Sequence, residues 1–147
     1  MEIEADVVAP CPTGELFAWV RDLDRYPRWH QIVTRAVPLG DDRWEVDLRG
    51  RLGPLARTKR LHMARTELVE GERVVFERRE DDGRQHSTWR LTASVAPDGD
   101  GARLSMVLFY DGTLFGSVLE RLLREEIARS RRQLLELVSD PAAAPPA

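Results

Sequence analysis

The residues most able to do chemistry in this chain are charged groups that fall inside apolar patterns. In the segment from Leu55 to Met63, the positions in phase with Leu55, Leu61 and Met63 include Arg57 and Lys59. Side chains of a strand alternate between its faces, so this phase sets two cations on an otherwise apolar face. Nearer the carboxy end, Glu126 and Ser130 fall within the stripe of Leu119, Leu122 and Leu137. At a rotation of about 100° per residue, Glu126 comes close to the centre of that stripe. A bare charge cannot be buried cheaply. Two arrangements fit: Glu126 meets Arg57 or Lys59 in a partly buried cluster that orients the oxygenated end of a ligand, or the sheet is open there and these groups reach water. A bulge in the strand would shift its phase and favour the second.

Other side chains offer surfaces for a ligand more than reactivity. Leu104, Met106, Leu108 and Tyr110 share one strand face, as do Trp89, Leu91, Ala93 and Val95, and earlier Trp44, Val46 and Leu48. These faces either fill a core or line a common interior. Within them Met106 adapts to irregular shapes and Tyr110 carries a polar handle. His30, His62 and His86 lie on separate segments with no carboxylate at a metal-binding spacing, so they read as surface or loop residues and no metal is expected. No glycine-rich phosphate loop follows a strand, and no cofactor is expected.

The elements that must position these residues follow from pattern. Ile3, Ala5, Val7 and Ala9 alternate with acids and read as a strand, ended by Pro10 and Pro12. Leu16, Phe17, Val20 and Leu23 then take helical spacing, with Thr13 placed to cap the first turn. Pro27 forces a break and a second short helical turn. Six strands are expected at Ile32–Leu39, Arg43–Arg49, Leu55–Ala64, Glu67–Arg79, Gln85–Ala96 and Ala102–Asp111, separated by Gly, Asp and Pro clusters. The interruption Glu70-Gly71-Glu72 is either a bulge or a further turn. The stretch from Leu114 to Val138 is one long helix with Leu119, Leu122, Leu123, Ile127, Leu134 and Leu137 along a stripe. Residues 140–147, rich in proline and alanine, read as a loose tail after a single domain over 1–139.

Composition narrows the classes. The 147 residues carry a net charge of −3 with 32% charged and 42% hydrophobic side chains, as expected of a globular chain with a packed core. Basic residues are scattered among acids, which argues against a nucleic-acid partner. Cys11 is the only cysteine, so no intramolecular disulfide forms. The acidic amino-terminal stretch is unlike a signal peptide, no apolar run approaches membrane-spanning length, and a cytoplasmic protein without stable membrane insertion is expected.

The order of elements, together with Asp22-Leu23-Asp24-Arg25-Tyr26-Pro27-Arg28-Trp29 and the run Tyr110-Asp111-Gly112 into Leu114-Phe115-Gly116, resembles the START-like (SRPBCC) superfamily, in particular its polyketide cyclase/dehydrase and lipid-transport branch. The resemblance spans nearly the whole chain. It implies an α+β helix-grip fold, also called Bet v 1-like, in which a curved antiparallel sheet of about seven strands wraps a long carboxy-terminal helix. It further implies an interior cavity for a small hydrophobic ligand such as a lipid, quinone or polyketide, lined here by Trp29, Trp44, Arg57, Lys59, Trp89, Met106, Tyr110, Leu119, Leu122, Glu126 and Ser130. Trp29 either plugs the end of the sheet or stands at the cavity mouth, and the segments Gly50–Pro54 and Thr113–Ser117 are the expected entrances. No catalytic set is carried over from the resemblance. Binding or carriage of a ligand is the leading reading. Cofactor-free aromatase/cyclase or dehydratase activity, using Arg57, Lys59, Tyr110 or Glu126, is the enzymatic alternative, and a protein-interaction module with a solid interior is a third.

Overall fold

Alternation of Ile3, Ala5 and Val7 with outward acids makes β1 (Glu2–Ala9) a strand with one covered face, and in the computed structural model it pairs antiparallel with the last strand of the chain. The structure describes residues 1–52, 55–112, 116–143 and 145, with the side chains of 51, 52, 55–57, 116–119 and 122 outside the described set. After β1 the helix α1 (Thr13–Ala18) buries Leu16 and Phe17. Thr13 does not cap it. The residue at the cap is Pro12, whose carbonyl accepts from the Glu15 and Leu16 amides. The second turn expected around Pro27 is a 3-10 helix, Leu23–Arg28, with the proline inside it.

The rest of the sheet is a meander: β2 (Val33–Gly40), β3 (Arg43–Leu52), β4 (Leu55–Val69), β5 (Arg73–Arg78), β6 (Trp89–Asp98) and β7 (Gly101–Tyr110). The seven strands lie in the order β1-β7-β6-β5-β4-β3-β2, every neighbouring pair antiparallel. Two regions differ most from the sequence expectation. Glu67 to Val69 continue β4 past a bulge between Arg65 and Glu67, and the interruption at Glu70-Gly71-Glu72 is a turn, made possible by Gly71 at φ +76°. The segment from Gln85 to Thr88 stays outside the sheet, and β6 begins only at Trp89.

The helix α2 (Gly116–Val138) packs against β1 and β3. Past it, Pro141–Ala143 form a 3-10 turn with Ala143 buried and its carbonyl accepting from Arg28 Nη1 at 3.2 Å. The apolar interior falls into two parts. A large cluster joins α1 and the 3-10 helix to the sheet through Phe17, Trp19, Tyr26, Phe76 and Leu104. A small one gathers Ile3, Ile32 and Leu123 under α2. Between them the sheet and α2 do not close on each other.

Candidate functional site

The space left between the two clusters is an apolar cavity that opens to solvent at its mouth. β1 supplies Ile3, Ala5 and Val7, β3 supplies Val46 and Leu48, and β4 supplies Leu61 and Met63. From β6 and β7 come Trp89, Leu91, Leu104, Met106 and Leu108, while Leu123, Ile127, Ser130 and Leu134 descend from α2. These positions on α2 recur at steps of four, three and four, the spacing of one helical face. Walls of this kind favour an apolar occupant, since each apolar surface removed from water contributes about 25 cal/mol per Å².

The wall at the end of α2 nearest the 3-10 helix is built by the segment Asp22 to Trp29, and each distinctive residue of that segment has a fixed partner. The Asp22 carboxylate accepts from Arg65 Nη1 at 2.6 Å, and Trp44 Nε1 donates to Asp24 at 2.9 Å. Tyr26 Oη donates to the Val20 carbonyl at 3.0 Å, and Trp29 Nε1 donates to the Trp19 carbonyl at 3.0 Å. Burial works against the charge on Asp22, but hydrogen bonds from Arg65 and Arg21 outweigh it and hold its pKa below the usual carboxylate value. These contacts fix Trp29, 3% exposed, as part of the cavity wall.

Immediately after Trp29, His30 also faces the cavity, packed against the rings of Tyr26 and Trp29 at centroid distances of 6.2 and 5.3 Å. Its Nδ1 is sealed without a hydrogen-bond partner. Burial lowers the pKa of the ring to about 4, so the imidazole is neutral near pH 7. Of the histidines expected at the surface or in loops, His86 is exposed beside Asp82 and His30 lies in a loop but faces the cavity, whereas His62 sits on β4 and bonds Glu80. No periodicity marked His30, which follows the buried Trp29 in a turn whose backbone returns to Tyr26 through the His30 amide at 2.7 Å.

The remaining candidates separate into groups. Trp29, Trp89, Met106 and Ser130 line the cavity. Trp44 and Tyr110 are buried in the large cluster beside it. Ser130 is fully engaged, accepting from the Gln31 amide at 3.0 Å and donating to the Glu126 carbonyl at 2.8 Å. Glu126 does not meet Lys59. Its carboxylate accepts from Arg129 at 2.9 Å on the same helix, because the face formed by Leu123, Ile127, Ser130 and Leu134 leaves residue 126 about 70° to one side. Lys59 stands near Arg78 and Glu80, and its pKa is lowered by burial and then by the charge of Arg78. The side chains of Arg57, Leu119 and Leu122 lie outside the described residues, as do the expected entrances at 50–54 and 113–117 apart from Gly50 and short stretches of backbone.

Trp89 separates the cavity from a polar surface hollow lined by Arg78, Glu80, Arg84 and His86, and its buried Nε1 has no acceptor. The exposed Asp6 and Arg131 stand at the rim of the cavity, Asp6 facing Arg103 at 3.7 Å. Among the described residues no group of three His, Cys, Asp or Glu side chains is placed to hold a metal ion, and no helix is long and apolar enough to cross a membrane.

A family model described as polyketide cyclase/dehydrase and lipid transport matches residues 1–139. No curated protein matches by sequence. Among solved structures, the chain is similar to a START superfamily protein from Mycobacterium smegmatis, at 16% identity and TM-score 0.73, over 94% of this chain and 97% of that one. It is also similar to a conserved protein from Geobacillus kaustophilus, at 9% identity and TM-score 0.74, over 95% of each chain. The Zhui aromatase/cyclase from Streptomyces sp. R1128 aligns over 99% of both chains at 11% identity and TM-score 0.70. At these identities the likeness shows the shared helix-grip fold alone.

Proposed function

The chain belongs to the polyketide cyclase/dehydrase and lipid transport family, and on that premise we propose that residues 1–139 bind a small hydrophobic ligand in the interior cavity, with 140–147 a tail outside the binding unit. One observation carries the reading: the space between sheet and α2 is walled by leucine, isoleucine, valine, methionine and tryptophan side chains from six strands and a helix. An unfilled apolar space of this kind forfeits contacts that an occupant would restore. Among the described residues, the polar groups invoked for an enzymatic reading do not converge there: Glu126 is engaged by Arg129 and Lys59 stands near Arg78. Binding is therefore favoured over cyclisation or dehydration.

Native mass spectrometry of gently purified protein, followed by organic extraction, tests the proposal. A stoichiometric apolar adduct that disappears on extraction is the expected result. An empty protein that also takes up none of a panel of fatty acids, quinones, sterols and aromatic polyketides would refute it.

A further inference from the structure

The cavity is almost free of hydrogen-bonding capacity, which makes the few polar groups in its wall informative about what it selects. Ser130 has no proton left to offer, since its hydroxyl donates to the Glu126 carbonyl while accepting from the Gln31 amide. Asp6 is at the rim with Arg103, and Arg131 is exposed there. That leaves two side chains in the wall with ring nitrogens that have no protein partner among the described residues, His30 and Trp89. The His30 ring, held against Tyr26 and Trp29, cannot turn freely to find one.

Of the two nitrogens of His30, only Nδ1 is sealed from open space. A buried amide-type N–H without an acceptor is rarer in proteins than a buried acceptor without a donor. The proton therefore belongs on Nε2, the nitrogen that remains reachable. We propose that His30 is the specificity-determining residue of the cavity, its Nε2–H donating to a carbonyl-type acceptor oxygen of an uncharged apolar ligand and so fixing which end of the ligand lies against the 3-10 helix. This rests on the cavity-binding reading above and adds to it a polarity for the ligand. The other unpaired group in the wall, Trp89 Nε1–H, is also a donor. Among the described residues no free carboxylate faces the cavity interior to accept a hydrogen bond from a hydroxyl, and a neutral imidazole offers no charge to an anion.

The test uses three naphthalene probes of nearly equal shape: 2-acetylnaphthalene, 2-ethylnaphthalene and 2-naphthoate. Calorimetric titration of the full chain is expected to favour the ketone over the hydrocarbon by about fivefold. In His30→Phe, which keeps a ring in the wall, that ratio should fall to about one, and His30→Gln, which restores an N–H donor, should recover part of it. The infrared carbonyl stretch of the bound ketone should lie below its value in hydrocarbon solvent with the native protein and return to it in His30→Phe.

An unchanged ratio in His30→Phe, or tighter binding of 2-naphthoate than of the ketone, overturns the proposal, the latter in favour of Arg131. In either case the cavity still binds and the functional reading stands. Binding of none of the probes overturns both together. If His30→Phe does not fold, the carbonyl stretch in the native protein decides alone, and a hydrocarbon-like value rejects the assignment.

Discussion

A histidine ring stripped of water holds its proton less tightly than it does in the unfolded chain, and His30 translates that into acid sensitivity. Its pKa falls from 6.5 to about 4 on folding, so between those values the unfolded chain binds the extra proton. The stability this site contributes is complete above pH 6.5 and is lost as pH falls toward 4. Carboxylates with depressed pKa values, such as Asp22 and Glu80, lose their contribution only below their own unfolded values of 3.8 and 4.5. His62 has the opposite sense: its pKa is raised by the Glu80 hydrogen bond, so its contribution is present below pH 6.5 and fades above it. The interval between pH 6.5 and 4.5 thus isolates His30. Urea unfolding across it should show a loss of about 2 kcal/mol, and His30→Phe should flatten the slope. A native protein with no acid-side loss would place the ring in water. The sequence could not supply this, because an isolated histidine has no periodicity to betray its burial.

The elements were more legible, since their signals are local. Strand alternation, the proline break and the long apolar stripe each follow from periodicity within a few residues, and the sheet order then follows from hairpin turns. What periodicity could not convey was the role of the segment Asp22 to Trp29. Its residues are anchors: Arg65, 9% exposed at its side chain, reaches Asp22, Asp42 and the Arg21 carbonyl, tying the 3-10 helix to β4 and to the β2–β3 turn. Arg65→Met removes one member of a largely buried ion pair and leaves Asp22 with Arg21 and Arg25 alone, which costs about 2 kcal/mol. Equilibrium unfolding should register that loss at unchanged denaturant dependence, and a change of a few tenths would mean that Arg21 takes over the anchoring. At the far end of the sheet, a Cβ on Gly112 would collide with the ring of Tyr110, which packs at 4.5 Å from Trp89. Gly112→Ala therefore displaces a rigid ring in the wall beside the cavity, at a cost of about 2 kcal/mol, readable in thermal unfolding and in altered tryptophan fluorescence.

A hollow belongs to the whole molecule, because it arises when the volumes of many side chains fail to sum to the space enclosed by their backbones. No window of sequence contains that sum, so apolar stripes read equally well as filled core. The register explains part of the deficit. Met106 on β7 stands directly opposite Ala5 of β1 on one side and Ala93 of β6 on the other, so the floor of the cavity carries one flexible side chain between two small ones. Met106→Trp puts a large ring where the two alanines leave room, and the ring has the cavity to enter instead of a packed neighbour. The protein should keep its circular dichroism and a melting temperature at or above that of the native chain, because filling a void restores lost contacts. Its uptake of 2-acetylnaphthalene and 2-ethylnaphthalene should fall together, unlike the ketone-selective loss expected of His30→Phe. Retained binding of both probes in a folded Met106→Trp would place the ligand outside the space between sheet and helix, and the functional reading would fall with it.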